Sequence, residues 1–224
     1  MDNGKTKEVI SQFDTIANLP DNWDHNQQYQ KYLLEQIRIK RNIGLDIGCG
    51  TGELARKLKN YCSKVIGIDI SPGMIKEAKN RNRETDIEFI TTDVEEYLSI
   101  TNNTFDVVIS IATFHHLAME RIFNLIKTKL NKDGVLLILD LYRQQTVFEY
   151  MLSILATLCN PIMYLIKRGS LFNTKEEKNA WKDHFKYDKY STIKEIRRIA
   201  EKELGDVSIR RHLFWRYSLI YIKR

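Results

Sequence analysis

The chain has few cysteines, and none of them lie close together in the sequence. Its three cysteines among 224 residues are Cys49, Cys62 and Cys159, and no C-x-x-C motif occurs. An odd number at scattered positions argues against a disulfide framework or a zinc site and for a reduced, cytosolic chain. The N-terminus, M-D-N-G-K-T-K-E, also lacks the apolar core of a signal peptide. We therefore expect a cytoplasmic protein without a bound metal.

The sequence also lacks a hydrophobic run of membrane-spanning length, internal repeats and low-complexity segments. The uncharged stretch from Tyr150 to Ile166 is a little short of the roughly 20 apolar residues that a span requires, and Asn160-Pro161 interrupts it. The net charge of +6 permits an anionic partner, such as RNA or a membrane surface, without requiring one. With 43% hydrophobic and 29% charged residues, the composition is that of one globular domain.

The stretch N-I-G-L-D-I-G-C-G-T-G-E, residues 42–53, combines a strand, a glycine turn and the start of a helix. Its apolar residues 43–47 suit a buried parallel strand. Gly48, Gly50 and Gly52 follow, and then a helix-forming stretch, residues 53–59. Such glycines let a ligand approach the backbone, where the free N–H groups of the new helix face it. The pattern is therefore typical of a cofactor-binding turn, or of a tight strand-helix turn that binds nothing.

Strands and helices alternate after this turn, which predicts a parallel sheet with helices on both faces. An N-terminal helical cap (1–41) precedes the core (42–142), and a helical insertion (143–190) follows it. The C-terminal part (191–224) supplies a helix and two strands whose alternating pattern is typical of an antiparallel sheet edge. Predicted strands after the first lie at 64–70, 87–92, 105–111, 135–141, 207–211 and 214–222.

Acidic residues stand at the ends of the second and third predicted strands. The carboxylate of Asp69 could accept hydrogen bonds from both hydroxyls of a ribose, or it could cap the next helix. Asp93 could accept from an adenine amino group with Val94 beside the ring, or it could cap the short helix that follows. Ile70 and Met74 could supply apolar contacts to a nucleoside or belong to the core.

The glycine turn distinguishes between two nucleotide cofactors. A dinucleotide-binding turn needs a third glycine at position 53, where this chain has Glu53. The turn is instead D-x-G-x-G-x-G, with Asp46 inside the strand. A carboxylate there would repel a pyrophosphate and suits a cationic group, such as the ammonium of methionine. S-adenosylmethionine is therefore the expected cofactor, with S-adenosylhomocysteine as the product.

Four motifs in order, L-D-I-G-C-G-T-G-E, I-G-I-D-I-S-P-G-M, T-T-D-V and F-D-V-V-I-S, resemble class I S-adenosylmethionine-dependent methyltransferases over residues 40–142. The likeness is to the small-molecule, methyltransferase-11-like type. It implies a Rossmann-like α/β three-layer sandwich whose seven-stranded sheet has the order 3-2-1-4-5-7-6, with strand 7 antiparallel. It also implies glycines near the methionine part, Asp69 on the ribose, Asp93 on the adenine and the Ser110 or Ile111 backbone near the amino acid end. The full predicted cofactor site is Asp46, Gly48, Cys49, Gly50, Gly52, Asp69, Ile70, Met74, Asp93, Val94, Ser110 and Ile111.

The chain lacks the motifs of several classes of methyltransferase, which differ in the acceptor that they methylate. Enzymes that methylate amino groups of nucleic acids carry a [D/N/S]-P-P-[Y/F/W] run after strand 4, where this chain has residues 110–113, S-I-A-T. Cytosine-C5 enzymes need a Pro-Cys nucleophile, and Cys159-Asn160-Pro161 has the wrong order and place. Catechol-type enzymes need metal-binding carboxylates and an Asp-Asn pair, but Asp140 is followed by Leu141. No metal is expected.

The residues after strand 4 are instead F-H-H-L, which includes His115 and His116. Either histidine could serve as a general base that removes a proton from a hydroxyl, thiol or amine. Each could equally cap the next helix or bond the backbone. No base is strictly required, because the sulfonium already activates the methyl group and positioning can supply much of the acceleration.

The insertion is where acceptor recognition is expected. Two helices, 147–158 and 162–166, are predicted to form a lid, although a dimer interface or a peripheral membrane contact through 147–166 is also open. Aromatic and polar residues near the same mouth predict a pocket for a small molecule or peptide. The predicted pocket residues are Trp23, His25, Asn26, Trp181 and His184, and Phe185, Tyr187 and Tyr190 add aromatics.

The sequence thus predicts methyl transfer to a small, partly apolar metabolite or peptide-like natural product, with an oxygen, nitrogen or sulfur acceptor. An RNA methyltransferase is the main alternative, because residues 210–219, R-R-H-L-F-W-R-Y-S-L, mix cations and aromatics. Solvated edge strands would explain that mixture equally, and no dedicated RNA-binding domain is evident. A non-catalytic relative that binds the cofactor is a third hypothesis. A monomer and a homodimer are both compatible with the sequence.

Overall fold

The computed structural model describes residues 10–11, 13–17, 25–147, 149–154, 157, 165 and 190–224. Seven strands form one sheet: β1 Arg41–Ile47, β2 Cys62–Asp69, β3 Glu88–Thr91, β4 Phe105–Ile111, β5 Leu130–Leu141, β6 Val207–His212 and β7 Arg216–Ile222. The helices are α1 His25–Leu34, α2 Glu53–Leu58, α3 Pro72–Arg81, α4 Val94–Ile100, α5 Met119–Lys129 and α6 Ile193–Glu203, with a 3₁₀ turn at Phe114–His116.

The strand order is β3-β2-β1-β4-β5-β7-β6. Strands β1 to β5 pair in parallel, and β7 runs antiparallel to both β5 and β6. The predicted order and the antiparallel seventh strand are therefore confirmed. Leu141 at the end of β5 pairs with Arg216 at the start of β7. The first residue of β7 thus reaches the edge where the parallel strands end.

Two apolar clusters, one on each face of the sheet, hold the layers together. Successive residues of β4 point to opposite faces: Val108 belongs to the cluster with α4, α5 and α6, while Val107 and Ile109 belong to the cluster with α1, α2 and α3. This alternation follows from the period of two in a strand, and strands buried on both faces read as continuous apolar runs. The three-layer arrangement is the one that the sequence predicts.

The strand boundaries differ from the prediction everywhere except at β4, and the differences at β5, β2 and β7 are described here. Strand β5 begins at Leu130 rather than Val135, because residues 130–134 continue the strand with an irregular register. Strand β2 ends at Asp69, so Ile70 follows the strand instead of closing it. Strand β7 begins at Arg216 rather than Phe214, since Phe214 and Trp215 adopt left-handed conformations, with φ of 60° and 59°, and form the β6–β7 turn.

The cap and the insertion are described in part. Residues 10–11 and 13–16 are helical, and α1 packs its apolar residues against the sheet. The insertion helix, defined by the helical residues 147, 149–154 and 157, lies within the first predicted lid helix. Of the second, 162–166, only residue 165 is described. Within the described ranges, no helix combines the length and the apolarity needed to cross a membrane.

Candidate active site

The glycine turn after β1 is tightly packed at Gly48 and open at Gly50. Gly48 has φ of 69°, and a Cβ built there would lie 2.1 Å from Thr113 Oγ1. Gly50 has φ of 52°, but a Cβ there would meet only Met74 Sδ, at 4.0 Å. Glycine at position 48 is thus required by packing against the loop after β4. At position 50, the turn exposes its backbone to an open side where a ligand can approach.

Asp69 joins the glycine turn to the start of α3. Its Oδ2 accepts a hydrogen bond from Gly50 N at 3.0 Å, and its Oδ1 accepts one from Ser71 N at 2.9 Å. Burial raises the pKa of the Asp69 carboxyl, although these backbone N–H groups oppose the shift. Ser71, not Asp69, caps α3, because its side chain accepts from Met74 N. Each carboxylate oxygen of Asp69 can accept a second hydrogen bond.

Asp93 caps α4, as the alternative interpretation of the sequence expected. Its Oδ1 accepts hydrogen bonds from Glu95 N at 2.8 Å and Glu96 N at 3.2 Å. The residue is exposed at the end of β3. Capping does not use all the acceptor capacity of a carboxylate, so the contact to an adenine amino group remains a prediction alongside the cap.

Asp46 is the most unusual carboxylate of the turn. It is 1% exposed, and neither of its oxygens makes a hydrogen bond of standard geometry to a residue that the structure describes. Burial and the nearby charge of Asp69 raise its pKa from 3.8 to about 8, while a backbone N–H of Ala55 lowers it slightly. A buried carboxylate without a partner is destabilising. The arrangement fits a site that receives a positively charged group.

The other predicted cofactor residues differ in their burial and in their contacts. Ser110 is buried, and its Oγ donates to Ile47 O at 2.8 Å, so its side chain joins β4 to β1. Burial raises the pKa of the Cys49 thiol well above its ordinary value, and the charges of Asp46 and Asp69 act in the same direction. The thiol is therefore neutral. Met74 and Val94 are buried, and Ile70 and Ile111 are half-buried.

His115 and Asp140 form a buried pair at the ends of β4 and β5. His115 Nδ1 lies 2.7 Å from Asp140 Oδ1, and the His115 backbone N–H donates to Asp140 Oδ2 at 2.7 Å. Their side chains are 3% and 0% exposed. In a neutral imidazole, this contact assigns the proton to Nδ1 and the lone pair to Nε2. Sequence reasoning considered Asp140 only as a metal ligand. Its place at the end of β5, next to β4 in the predicted order, was the available signal.

Aromatic rings from three parts of the chain surround this pair. The ring centroid of His116 lies 4.0 Å from that of His115 and 5.9 Å from that of Phe13, which meets it edge-on. The Tyr190 ring lies 5.1 Å from His115. Both predicted histidines and the predicted mouth residue Tyr190 are thus brought together. Sequence reasoning missed Phe13, which appeared only as part of an apolar helical repeat.

The described N-terminal helical residues bridge the two halves of the site. Asp14 Oδ1 accepts hydrogen bonds from the Ser71 hydroxyl and from Gly73 N, the latter at 2.8 Å. Its neighbour Phe13 contacts His116. One short segment therefore contacts both the start of α3, next to Asp69, and the histidines after β4.

The structure describes two of the five predicted pocket residues. His25 begins α1, and Asn26 accepts a hydrogen bond from Arg216 Nε at 2.8 Å, at the start of β7. Asn26 therefore lies at the sheet edge that carries His115 and Asp140. The side chain of His25 lies outside the described residues, as do Trp23, Trp181 and His184.

The basic and aromatic residues near the C-terminus contact other parts of the fold. The Arg210 guanidinium lies 5.8 Å from the centroid of the Tyr32 ring, and Arg211 forms an ion pair with Glu149 at 3.0 Å. Arg216 is 7% exposed. Each of these arginines therefore contacts another part of the fold.

Across the described residues, no three histidine, cysteine, aspartate or glutamate side chains form a group that could hold a metal ion. The carboxylate of Asp140 illustrates the reason. One of its oxygens accepts from both His115 Nδ1 and Leu141 N, and the other accepts from His115 N. Both oxygens of the Asp140 carboxylate therefore accept hydrogen bonds from the protein.

Comparison with known proteins gives the same class of protein as the sequence motifs, the methyltransferases. Residues 45–138 match the family model of a methyltransferase domain. The malonyl-[acyl-carrier protein] O-methyltransferase of Acetivibrio thermocellus is 40% identical over 95 residues, which cover 41% of this chain and 33% of that protein. The protein of the same name from Bacillus anthracis is 29% identical over 168 residues, which cover 74% of this chain and 55% of that protein. The chain thus spans between a third and about half of these relatives.

A solved structure supports the fold. The N-methyltransferase NodS from Bradyrhizobium japonicum WM9, determined with S-adenosyl-l-homocysteine, gives a TM-score of 0.59 at 14% identity over 96% of this chain and 98% of that chain. The strand order and the glycine turn define the class I methyltransferase fold. Residues 45–138, which match the methyltransferase domain model, carry this fold.

Proposed function

We propose that the chain transfers the methyl group of S-adenosylmethionine to a small, partly apolar acceptor. The observation that carries the proposal is the buried carboxylate of Asp46, which is 1% exposed and lacks a hydrogen bond of standard geometry to any described residue. The ammonium of the methionine part would supply the missing positive charge. Gly50 presents open backbone beside it, and Asp69 retains acceptor capacity for ribose hydroxyls.

The acceptor side supports a small molecule. The rings of Phe13, His116, His115 and Tyr190 follow one another with successive centroids 5.9, 4.0 and 5.1 Å apart, which suits an apolar or aromatic group with one polar atom. Asn26 at the same sheet edge would add a polar contact, and Trp23, His25, Trp181 and His184 stay predicted pocket residues. The names of the two curated relatives, which describe O-methylation of a malonyl group, are compatible with an oxygen acceptor.

The buried pair of His115 and Asp140 would accept the proton that the methyl acceptor releases. Asp140 holds the His115 imidazole by Nδ1 and by the backbone, so it is a positioning residue that makes Nε2 the basic nitrogen of the ring. His115 would then accept the proton that a hydroxyl, thiol or amine gives up as it is methylated. His116, whose ring lies 4.0 Å away, would pack against the acceptor.

Isothermal titration of S-adenosylmethionine into the purified protein tests the cofactor part. Asp46→Asn keeps the shape of the side chain but removes its charge, and it should weaken binding at least about tenfold, because a hydrogen bond to a charged group is worth about 1.5–3 kcal/mol. Asp206→Asn is the matched control, since the Asp206 side chain is 85% exposed. Equal affinity for the two variants would contradict the assignment of Asp46.

Methyl-labelled S-adenosylmethionine tests the acceptor part. The purified protein is incubated with host-cell extract, and label is followed into small-molecule, protein and RNA fractions. Label in the small-molecule fraction is the expected result. Label in RNA would replace the proposed acceptor class by the main alternative, while cofactor binding with no transfer in any fraction would favour a non-catalytic cofactor-binding protein.

A further inference from the structure

The insertion helix exposes its apolar side chains. Val147, Tyr150, Met151 and Ile154 are 78%, 55%, 64% and 63% exposed. Their offsets of three, four and seven residues place them on one face of the helix, which we call the apolar stripe. A helix that packs on a protein core buries such a face and exposes its polar one. The insertion helix does the reverse.

Polar contacts on the opposite face fix this orientation. Glu149 is buried, accepts hydrogen bonds from two backbone N–H groups at the start of the helix and pairs with Arg211 on β6 at 3.0 Å. Burial alone would raise the pKa of Glu149, but these partners together hold it below its ordinary value, so the carboxyl stays ionised. One turn later, Ser153 Oγ accepts from Trp215 Nε1 at 2.6 Å. Rolling the apolar stripe inward would break both anchors.

The sequence around the apolar stripe is cationic. Between Asp140 and Glu176 the only acidic residue is Glu149, and Arg211 already neutralises it. The whole chain carries a net charge of +6. The basic residues of the same stretch are Arg143, Lys167, Arg168 and Lys175.

We propose that the apolar stripe docks the protein on an anionic lipid surface, with the insertion helix lying in the plane of the membrane interface. Its apolar side chains would enter the boundary between head groups and acyl chains, and the positive net charge of the chain would favour an anionic lipid surface. A second copy of the chain fits less well, because each copy carries a net charge of +6 and the two copies would repel each other. The proposal concerns where the protein acts and does not depend on the methyl acceptor.

Flotation of the full-length protein with vesicles tests the proposal. Wild-type protein should float with vesicles of equal parts phosphatidylglycerol and phosphatidylcholine, and binding should fall in 0.5 M NaCl or with phosphatidylcholine alone. A triple variant, Val147→Ser, Met151→Ser and Ile154→Ser, should lower the partition coefficient by about tenfold or more, because it removes most of the inserted apolar area.

A matched variant separates this surface from general hydrophobicity. Ile39, Ile100 and Ile222 are 63%, 72% and 53% exposed elsewhere on the fold. Changing these three to serine should leave vesicle binding unchanged, with far-UV circular dichroism confirming that both variants are folded. Wild-type protein that does not float, or a stripe variant that floats like wild type, would overturn the proposal. So would a wild-type dimer that the stripe variant converts to a monomer, since the occupant would then be a second copy.

Discussion

The two halves of the candidate site are built differently. On the cofactor side, Asp46, Gly48, Gly50 and Asp69 come from one strand-turn-helix unit and the strand beside it, and backbone N–H groups bind the Asp69 carboxylate. The acceptor side is assembled from positions far apart in the chain. Phe13, His115, Asp140 and Tyr190 come from four separate segments, and they meet through side chains.

This difference explains what each half can tolerate. A backbone-lined turn has a shape set by φ angles and close packing, so a single added carbon disturbs it. A site made of side chains from separate segments can change those side chains while the fold stays intact. Substitutions on the acceptor side should therefore alter methyl transfer without altering cofactor binding, and substitutions in the turn should alter both.

Replacing members of the buried pair should give the largest effect on rate. His115→Gln or Asp140→Asn should lower transfer of label by about 10² to 10⁴, the usual contribution of general acid–base catalysis. Binding of S-adenosylmethionine, measured by titration, should change less than about threefold because the turn is intact. His116→Gln keeps the contact between His115 and Asp140 and should lower transfer by about tenfold or less.

The pH profile distinguishes proton transfer from a structural role of this pair. The rate of His115→Gln should rise more steeply with pH than that of wild type, because the acceptor must then lose its proton to solvent. Parallel profiles for the two proteins, with binding unchanged, would show that His115 only positions the loop after β4.

In the glycine turn, Gly48→Ala should cost the most stability. Its Cβ would lie 2.1 Å from Thr113 Oγ1 in a left-handed conformation, so unfolding free energy should fall by about 3 kcal/mol or more, and cofactor binding should be lost with it. Gly205→Ala is the control, since Gly205 has φ of 95° with no atom within 4 Å of the added carbon. It should lose about 1 kcal/mol from backbone strain alone. Urea denaturation measures the unfolding free energy of both variants. An equal decrease in the two would mean that packing of the added carbon against Thr113 is unimportant.

The same contrast explains what the sequence could predict. The alternation of strands and helices and the polar residues that follow strands were predictable because apolar periodicity and glycine spacing are local signals, whereas the strand order came from the resemblance to class I methyltransferases. The pairing of His115 with Asp140 was missed, since no local pattern indicates it and only the strand order places the ends of β4 and β5 side by side. The outward apolar stripe was also unpredictable, because its direction is set by the contacts of Glu149 and Ser153 with the β6–β7 hairpin.

The charge of Asp46 should make the stability of the cofactor-free protein depend on pH. Folding raises the pKa of Asp46 from 3.8 to about 8, so the folded state binds this proton more tightly than the unfolded state, and stability falls as pH rises from about 4 to 8. Asp46→Asn removes the buried charge and should raise the unfolding free energy at pH 8 by about 2 kcal/mol, with a smaller gain at pH 5. Urea denaturation at the two pH values measures the difference. An equal gain at both would mean that Asp46 does not titrate in this range.

The smallest effect is expected where one segment bridges the two halves. Asp14→Ala removes the acceptor of two hydrogen bonds at the start of α3, from the Ser71 hydroxyl and from Gly73 N. Dissociation of S-adenosylmethionine, followed by stopped-flow competition, should accelerate by about threefold to tenfold, as expected for the loss of one or two hydrogen bonds. Asp14→Asn keeps an acceptor oxygen and should show a smaller change. If both variants release the cofactor at the wild-type rate, the N-terminal segment belongs to the acceptor side alone, and its contact with α3 does not restrain the cofactor.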